Sequence, residues 1–403
     1  MKFLTPIILK VFGAIISFFV TYIIARDFTI ETAGEYFFLL SLIMILSTAL
    51  QFGAPKVILK EVSRNSVLKI AGYNQWLLNK AIKNVFKAAA SVLILMFILN
   101  FLYEIKLVYF LVGICSLLSA VTIICSASLQ GNDKLNLSII LSSIIFPTIF
   151  CSFISLVYIE TSLDLIIYYL ATSLITALIG LKFTFLGSSD GKYNIDFFSE
   201  SLPFYLIALC QISSQYMGTI ILGISAAPED VSLYHTSLRV ITIISFFLVA
   251  ANGIFARQYA KLFTLNDMET LQTLVIKVTR LLSLTCIPLI VVICLFSKDI
   301  MLIFGTEYSK GSTLLIILCL GQLVNCLTGS VGYLLSMTGH SNVLKNNVVK
   351  VTFLYLVLSV LFVPYFGVLA AALLTTFSTV VVNLLNWHCV VKYLKINTIK
   401  KVK

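Results

Sequence analysis

The chain has 403 residues, 60% of them apolar and only 11% charged, with a mean hydropathy of +1.04. A soluble domain carries about a quarter charged residues, so this composition argues against a water-soluble enzyme. The net charge of +11 would fit nucleic acid or an acidic partner if the basic residues formed one block, and they do not.

Crossing a bilayer takes about 20 apolar residues per helix. The sequence offers a dozen such runs, near 6–25, 36–58, 84–103, 108–129, 136–158, 164–186, 203–224, 231–255, 281–303, 313–337, 346–363 and 367–391. The expected fold is therefore an all-α polytopic membrane protein of about 12 transmembrane helices. Turn-like residues separate several runs: Arg26-Asp27, Gly131-Asn132-Asp133, Gly187 to Gly191, Ala227-Pro228, Gly305-Thr306 and Pro364 to Gly367. The connections are too short for a soluble domain. The opening MKFLTPIILK has no small-residue cleavage site and reads as a retained first helix. All nine cysteines fall in apolar segments without a CxxC pair, which reads as packing rather than as a disulfide framework or metal site.

With the N-terminus in the cytoplasm, most of the 28 Lys and Arg lie on the cytoplasmic side. Arg26, Lys106, Lys298 and Lys310 lie outside, and Arg239 lies within the membrane. This is the positive-inside pattern with both termini cytoplasmic, so the basicity is mostly topology and no nucleic-acid partner is expected. The two halves also echo each other. Ala33-Gly34-Glu35-Tyr36 and Val231-Ser232-Leu233-Tyr234 both open a span, and Leu129-Gln130-Gly131-Asn132 and Met337-Thr338-Gly339-His340 both close one. Six spans per half place both halves in the same orientation, as in transporters with parallel repeats. The predicted lobes are 1–195 and 196–403, the second ending in a short basic tail.

A charge at the bilayer centre costs roughly 3 kcal/mol, so polar groups there usually face a cavity or the bundle interior. All 17 acidic residues are expected in loops or at span ends. Arg239 is the clear intramembrane ion, with His235 four residues before it and Thr242 three after, on one helix face. Its planar guanidinium suits a phosphate, donating two hydrogen bonds at once; the competing reading is a snorkelling or structurally paired arginine. Span 1 carries a stripe of Lys10, Gly13, Ser17 and Thr21, and span 7 carries Gln211, Ser214, Gln215 and Gly218. These surround the cations and read as cavity candidates, while Lys10, near the cytoplasmic edge, reads equally as a snorkelling side chain. Gln322, Asn325 and Gly329 in span 10, and Thr376, Thr379, Asn383 and Asn386 in span 12, read as links between helices. Lys56, Lys60 and Arg64 recur every fourth residue and either gather a phosphate headgroup or anchor span 2 against anionic lipid. No Gly-rich nucleotide loop, HExxH or nucleophile triad is present in the sequence, so neither a cofactor nor a catalytic constellation is expected.

Ile24-Ala25-Arg26 with Ala33 to Tyr36, Phe52-Gly53-Ala54-Pro55 with Leu59-Lys60-Glu61, Leu202-Pro203, Ile221-Leu222-Gly223, Tyr234 with Arg239, Phe304-Gly305, Leu335 to Gly339 and Pro364 to Ala370 run in order along the chain. Together they resemble the polysaccharide-exporting flippases of the multidrug/oligosaccharidyl-lipid/polysaccharide superfamily, and in particular the Wzx-type O-antigen flippases. The resemblance implies two six-helix lobes around a central cationic cavity, working by alternating access in the bacterial inner membrane. It implies an undecaprenyl-pyrophosphate-linked oligosaccharide as substrate, moved from the cytoplasmic to the periplasmic leaflet, with an O-antigen polymerase and a chain-length regulator as partners. Substrate contacts carry over to Arg239 first, then to Lys10 and Arg26. The competing readings are a drug/cation antiporter of the same superfamily, which would want an intramembrane carboxylate, and a membrane polymerase or glycosyltransferase, which would want a large outer loop.

Overall fold

The computed structural model describes residues 4–70, 72–104, 106–157, 159–184, 193 and 197–398. Gly187 to Gly191 lie outside them. The described residues form helices throughout, and eleven are long and apolar enough to cross a membrane. The eleventh, Ser341–Leu394, has 54 residues and would measure about 81 Å at 1.5 Å per residue, far beyond a hydrocarbon core about 30 Å thick. It is broken at Gly367, whose φ of 60° and ψ of −145° are non-helical, just after Pro364. It therefore supplies the two spans expected near 346–363 and 367–391, and the expected dozen is recovered.

The chain divides into two compact units, residues 1–28 with 35–216 and residues 29–34 with 217–403. The first contains α1 (Leu4–Asp27), most of α2 (Ile30–Gln51), α3 (Ala54–Leu68), α4 (Tyr73–Tyr103), α5 (Leu107–Gly131), α6 (Leu135–Ile139), a π turn (Ile140–Ile145), α7 (Phe146–Leu156), α8 (Ser162–Thr184) and the first part of α9 (Phe197–Ser225). The second contains the end of α9, α10 (Pro228–Thr264), α11 (Met268–Leu295), α12 (Ser297–Leu302), a 3-10 turn (Thr306–Gly311), α13 (Ser312–Thr328), α14 (Val331–Met337) and α15 (Ser341–Leu394).

Several expected boundaries move, each for a local reason. The second span does not run from 36 to 58: α2 starts at Ile30, which draws Glu31 and Glu35 into its first turns, and it stops at Gln51. Phe52 and Gly53 then take positive φ values of 44° and 73°, and Pro55 starts a separate helix at its first turn. That helix, α3, is amphipathic. Val57, Ile58 and Val62 are buried against Leu77, Leu78, Ala81 and Val85 of α4 and Ala120 and Ile124 of α5, while Lys56, Lys60 and Arg64 are exposed. The tenth span is likewise not continuous over 313–337. It breaks at Gly329, φ 73°, where a β-carbon would stand 2.3 Å from Thr279 Oγ1 of α11. The third, eighth and ninth spans begin earlier than expected, as α4, α10 and α11, because their basic or polar first turns remain helical outside the hydrocarbon.

Of the polar residues in spans 10 and 12, Gln322, Thr376 and Asn386 link helices as expected, whereas Asn325, Thr379 and Asn383 bond within their own helix. Gln322 Oε1 accepts from Ser245 Oγ of α10 at 3.3 Å and from Asn325 Nδ2 at 3.0 Å. Thr376 Oγ1 donates to the Ile317 carbonyl at 2.9 Å, and Asn347 Nδ2 donates to Asn386 Oδ1 at 3.0 Å. In span 1, Gly13 packs within the first unit, where a β-carbon would meet the Ser143 carbonyl of the π turn at 2.6 Å. The cysteines carry no disulfide.

The break before α3 is tight as well as left-handed, since a β-carbon on Gly53 would lie 2.4 Å from the Ser201 carbonyl of α9. Gly53→Ala is therefore expected to lower stability by about 1–3 kcal/mol, from the left-handed backbone together with the clash. An unchanged thermal unfolding midpoint in detergent would show that the break makes no such demand.

Candidate functional site

The sequence-predicted residues fall in three pairs and two single positions. Lys10, Arg26, Lys56, Lys60, Gln211 and Gln215 belong to the first unit, and His235 and Arg239 to the second.

In the second unit, α10 begins at Pro228 with Glu229 and Asp230 in its first turn, next to the positive end of the helix dipole. Counted from Val231, where the apolar run opens past these two carboxylates, Arg239 sits roughly 12 Å along the helix, inside a hydrocarbon core about 30 Å thick. Arg239 is half-buried. His235, buried, lies one turn before it on the same helix face. Thr242, one turn further on, is exposed and spends its hydroxyl on the Arg239 carbonyl at 2.6 Å. Around this helix the second unit holds a hydroxyl cluster that the sequence does not reveal. Tyr234 Oη lies 2.6 Å from Thr375 Oγ1, and Tyr355 Oη lies 3.3 Å from the same atom. Both rings close over Gly218, where a β-carbon would be 2.5 Å from one hydroxyl and 2.8 Å from the other. Gly218, expected as part of a cavity stripe, is thus a close-packing position.

In the first unit, Lys10 is exposed on α1, and no ion pair among the described residues includes it. Arg26, at the last turn of α1, is exposed and held by its own helix: it donates to Tyr22 Oη, with its guanidinium 5.6 Å from the Tyr22 ring centre. Gln211 and Gln215 lie one turn apart on α9, both exposed, while Ser214 beside them bonds the Cys210 carbonyl at 2.9 Å. Lys56 and Lys60 share the exposed face of α3, and they differ in partners. Lys60 Nζ donates to Glu200 Oε2 of α9 at 2.7 Å and lies 3.7 Å from Glu61. The bond to Glu200 raises the Lys60 pKa above the ordinary lysine value. Glu61 is buried and also accepts from Tyr73 Oη at 3.0 Å. Nothing in the sequence pattern points to the Lys60–Glu200 tie, whose partners stand 140 positions apart.

A polar cavity of about 360 Å³ lies elsewhere in the first unit, where the ends of α3, α4, α5 and α8 meet. Its floor is a chain of amides: Asn65 Nδ2 donates to Asn74 Oδ1 at 2.9 Å, and Asn74 Nδ2 donates to Asn132 Oδ1 at 3.0 Å. None of the predicted site residues lines it.

Carboxylates within the candidate spans lie in the first two turns or, for Asp27, at the last residue. The one farthest inside is Glu35 of α2, and Ser162 Oγ donates to it at 2.5 Å. Among the described residues no cluster of three His, Cys, Asp or Glu could hold a metal ion.

No protein-family model matches this chain. It is 26% identical over 182 residues to a probable low-salt glycan biosynthesis flippase, Agl15, of Haloferax volcanii; the match covers 45% of this chain and 39% of that protein. Among solved structures it resembles the lipid II flippase MurJ in an inward closed conformation, with a TM-score of 0.71 at 15% identity over 95% of this chain and 86% of that one. It resembles an inward-facing multidrug resistance MATE transporter of the MOP superfamily with a TM-score of 0.74 at 12% identity, over 95% of both chains. A MOP superfamily transporter from Pyrococcus furiosus, described as having a binding pocket of reverse polarity, gives 0.65 at 13% identity, over 98% of this chain and 95% of that one. At these identities the structural likenesses establish the fold alone: all-helical and multi-pass.

The Lys60–Glu200 pair fastens α3 to α9. Because the Lys60 pKa is raised, the pair contributes fully below the ordinary lysine pKa and loses its contribution as pH rises through the folded value. Lys60→Gln is expected to speed amide exchange in residues 54–68 severalfold at neutral pH. Equal exchange in both proteins would place this pair among exposed pairs worth nothing measurable.

Proposed function

We propose that this chain is a flippase for lipid-linked oligosaccharide. In specific terms, it moves undecaprenyl-pyrophosphate-linked O-antigen repeat units from the cytoplasmic to the periplasmic leaflet of a bacterial inner membrane by alternating access, with both termini cytoplasmic. The observation that carries the proposal is Arg239, a half-buried cation inside the candidate span Pro228–Val249, in a chain whose span carboxylates stay near helix ends. A guanidinium held at that depth offers two parallel hydrogen bonds to a phosphate where little water competes. The pyrophosphate binds at Arg239, with His235 beside it. Lys10, Arg26, Gln211, Gln215, Lys56 and Lys60 are the further proposed contacts along the headgroup's path, and the polyprenyl tail stays in lipid. Taking a hydrated, charged headgroup through bare hydrocarbon is prohibitive, so the protein supplies the polar route. The archaeal relative's name, a glycan biosynthesis flippase, supports the same substrate class. An O-antigen polymerase and a chain-length regulator are the proposed partners.

The likeness to a multidrug MATE transporter favours a second reading, a drug/cation antiporter. That chemistry calls for a carboxylate facing the substrate, and the best-placed one, Glu35, is engaged by Ser162.

Arg239→Ala is expected to abolish translocation of the lipid-linked oligosaccharide, by at least tenfold, in protein that is still inserted and monodisperse, and Arg239→Lys to keep a fraction of it. Translocation by Arg239→Ala at the native rate would contradict the proposed role.

A further inference from the structure

Helix α4 is longer than the membrane it crosses, and its excess length is basic. One face, with Leu77, Leu78, Ala81, Val85 and Ala89, is buried in the first unit. The opposite face is exposed between Lys83 and Ile98 and changes character once. Toward the start it carries Lys83, Asn84, Phe86 and Lys87; beyond Ala90 it carries Ile94, Phe97 and Ile98. Counting back from Tyr103, about 30 Å of helix reaches Lys83, one hydrocarbon thickness. Lys83 thus stands at the boundary, and Lys87, one turn inside, reaches it by extending its stem. Lys80, one turn outside, lies 4.8 Å from the ring centre of Trp76, which packs with Tyr73 and Tyr193. Such an aromatic group marks the headgroup layer. Helix α4 contains no acidic residue, and among the described residues no ion pair includes Lys83 or Lys87.

The second unit repeats the arrangement on α11. Lys277 and Arg280 are exposed, followed on the same face by Leu281, Leu284, Val291 and Leu295, all exposed. Lys277 lies about 27 Å from the helix end at Leu295. Neither cation has an ion pair among the described residues.

We propose that these two ledges, Lys83 with Lys87 and Lys277 with Arg280, are binding surfaces for the phosphodiester headgroups of acidic phospholipids, one ledge on each unit. Cations that only mark topology need nothing more than water and any headgroup. Paired cations one turn apart at the boundary, with exposed apolar side chains directly below, fit a lipid carrying both a net negative headgroup and acyl chains. The proposal concerns the surrounding lipid and stands apart from the transported substrate.

The test uses the purified full chain reconstituted in equal phosphatidylglycerol and phosphatidylcholine, re-extracted in mild detergent, with the retained lipid counted by mass analysis. The native chain is expected to retain phosphatidylglycerol preferentially. K83Q/K87Q and K277Q/R280Q are each expected to reduce that preference on the order of tenfold. K83R/K87R is expected to restore it, and K298Q/K310Q, which removes the same charge elsewhere on the exposed surface, to leave it unchanged. Equal retention of the two lipids by the native chain, or an equal loss in K298Q/K310Q, would overturn the proposal. Because no translocation is measured, this result and that of the Arg239 variants can fail independently.

Discussion

A hydrocarbon layer about 30 Å thick offers the peptide group no hydrogen-bond partner, and this chain is organised around that fact. Every span satisfies its own backbone as helix. At three breaks the unusual backbone falls on glycine: Gly53 ahead of Pro55, Gly329 against Thr279, and Gly367 after Pro364. Many of the hydroxyls and amides that remain inside are spent locally. Some bond a carbonyl of their own helix, as Ser116 does with Val112, and others tie one helix to the next, as Gln322 and Ser245 do. Against that background a half-buried guanidinium in mid-span is an expensive exception. Such exceptions persist where function requires them, and for this reason Arg239 carries the functional reading.

Much of the architecture was legible in the sequence because the signal for a span is length and hydropathy alone. The dozen runs reappear as helices, including the two that meet at Gly367. The sequence was less informative where polarity and helicity part company. The early turns of α4, with Lys80 and Lys83, and of α11, with Glu269 and Lys277, are charged and still helical, so the apolar run marks where hydrocarbon begins and not where the helix begins. Helix α3 was concealed for the converse reason: its buried side chains continued the apolar pattern of α2, and only Gly53 and Pro55 signalled the break.

The candidate site was legible only in part. Arg239 stands out as a lone charge in an apolar run, and its spacing from His235 survives in the structure. Partnerships across the chain could not be read. Lys60 resembled its neighbour Lys56 in sequence, yet Glu200, 140 positions away, takes up its charge. Gly218 fitted a polar stripe by spacing, whereas the Tyr234 and Tyr355 hydroxyls require it to be glycine.

The fold is shared by proteins whose names describe both flippases and drug transporters, so the cargo must be settled by transport itself. The most direct measurement places the purified chain in vesicles with a labelled polyprenyl-pyrophosphate oligosaccharide in one leaflet and follows its appearance in the other, in parallel with uptake of a cationic drug. Translocation of the lipid-linked oligosaccharide, lost in Arg239→Ala and without drug uptake, is the expected result. Drug uptake with the oligosaccharide left in its original leaflet would contradict the account.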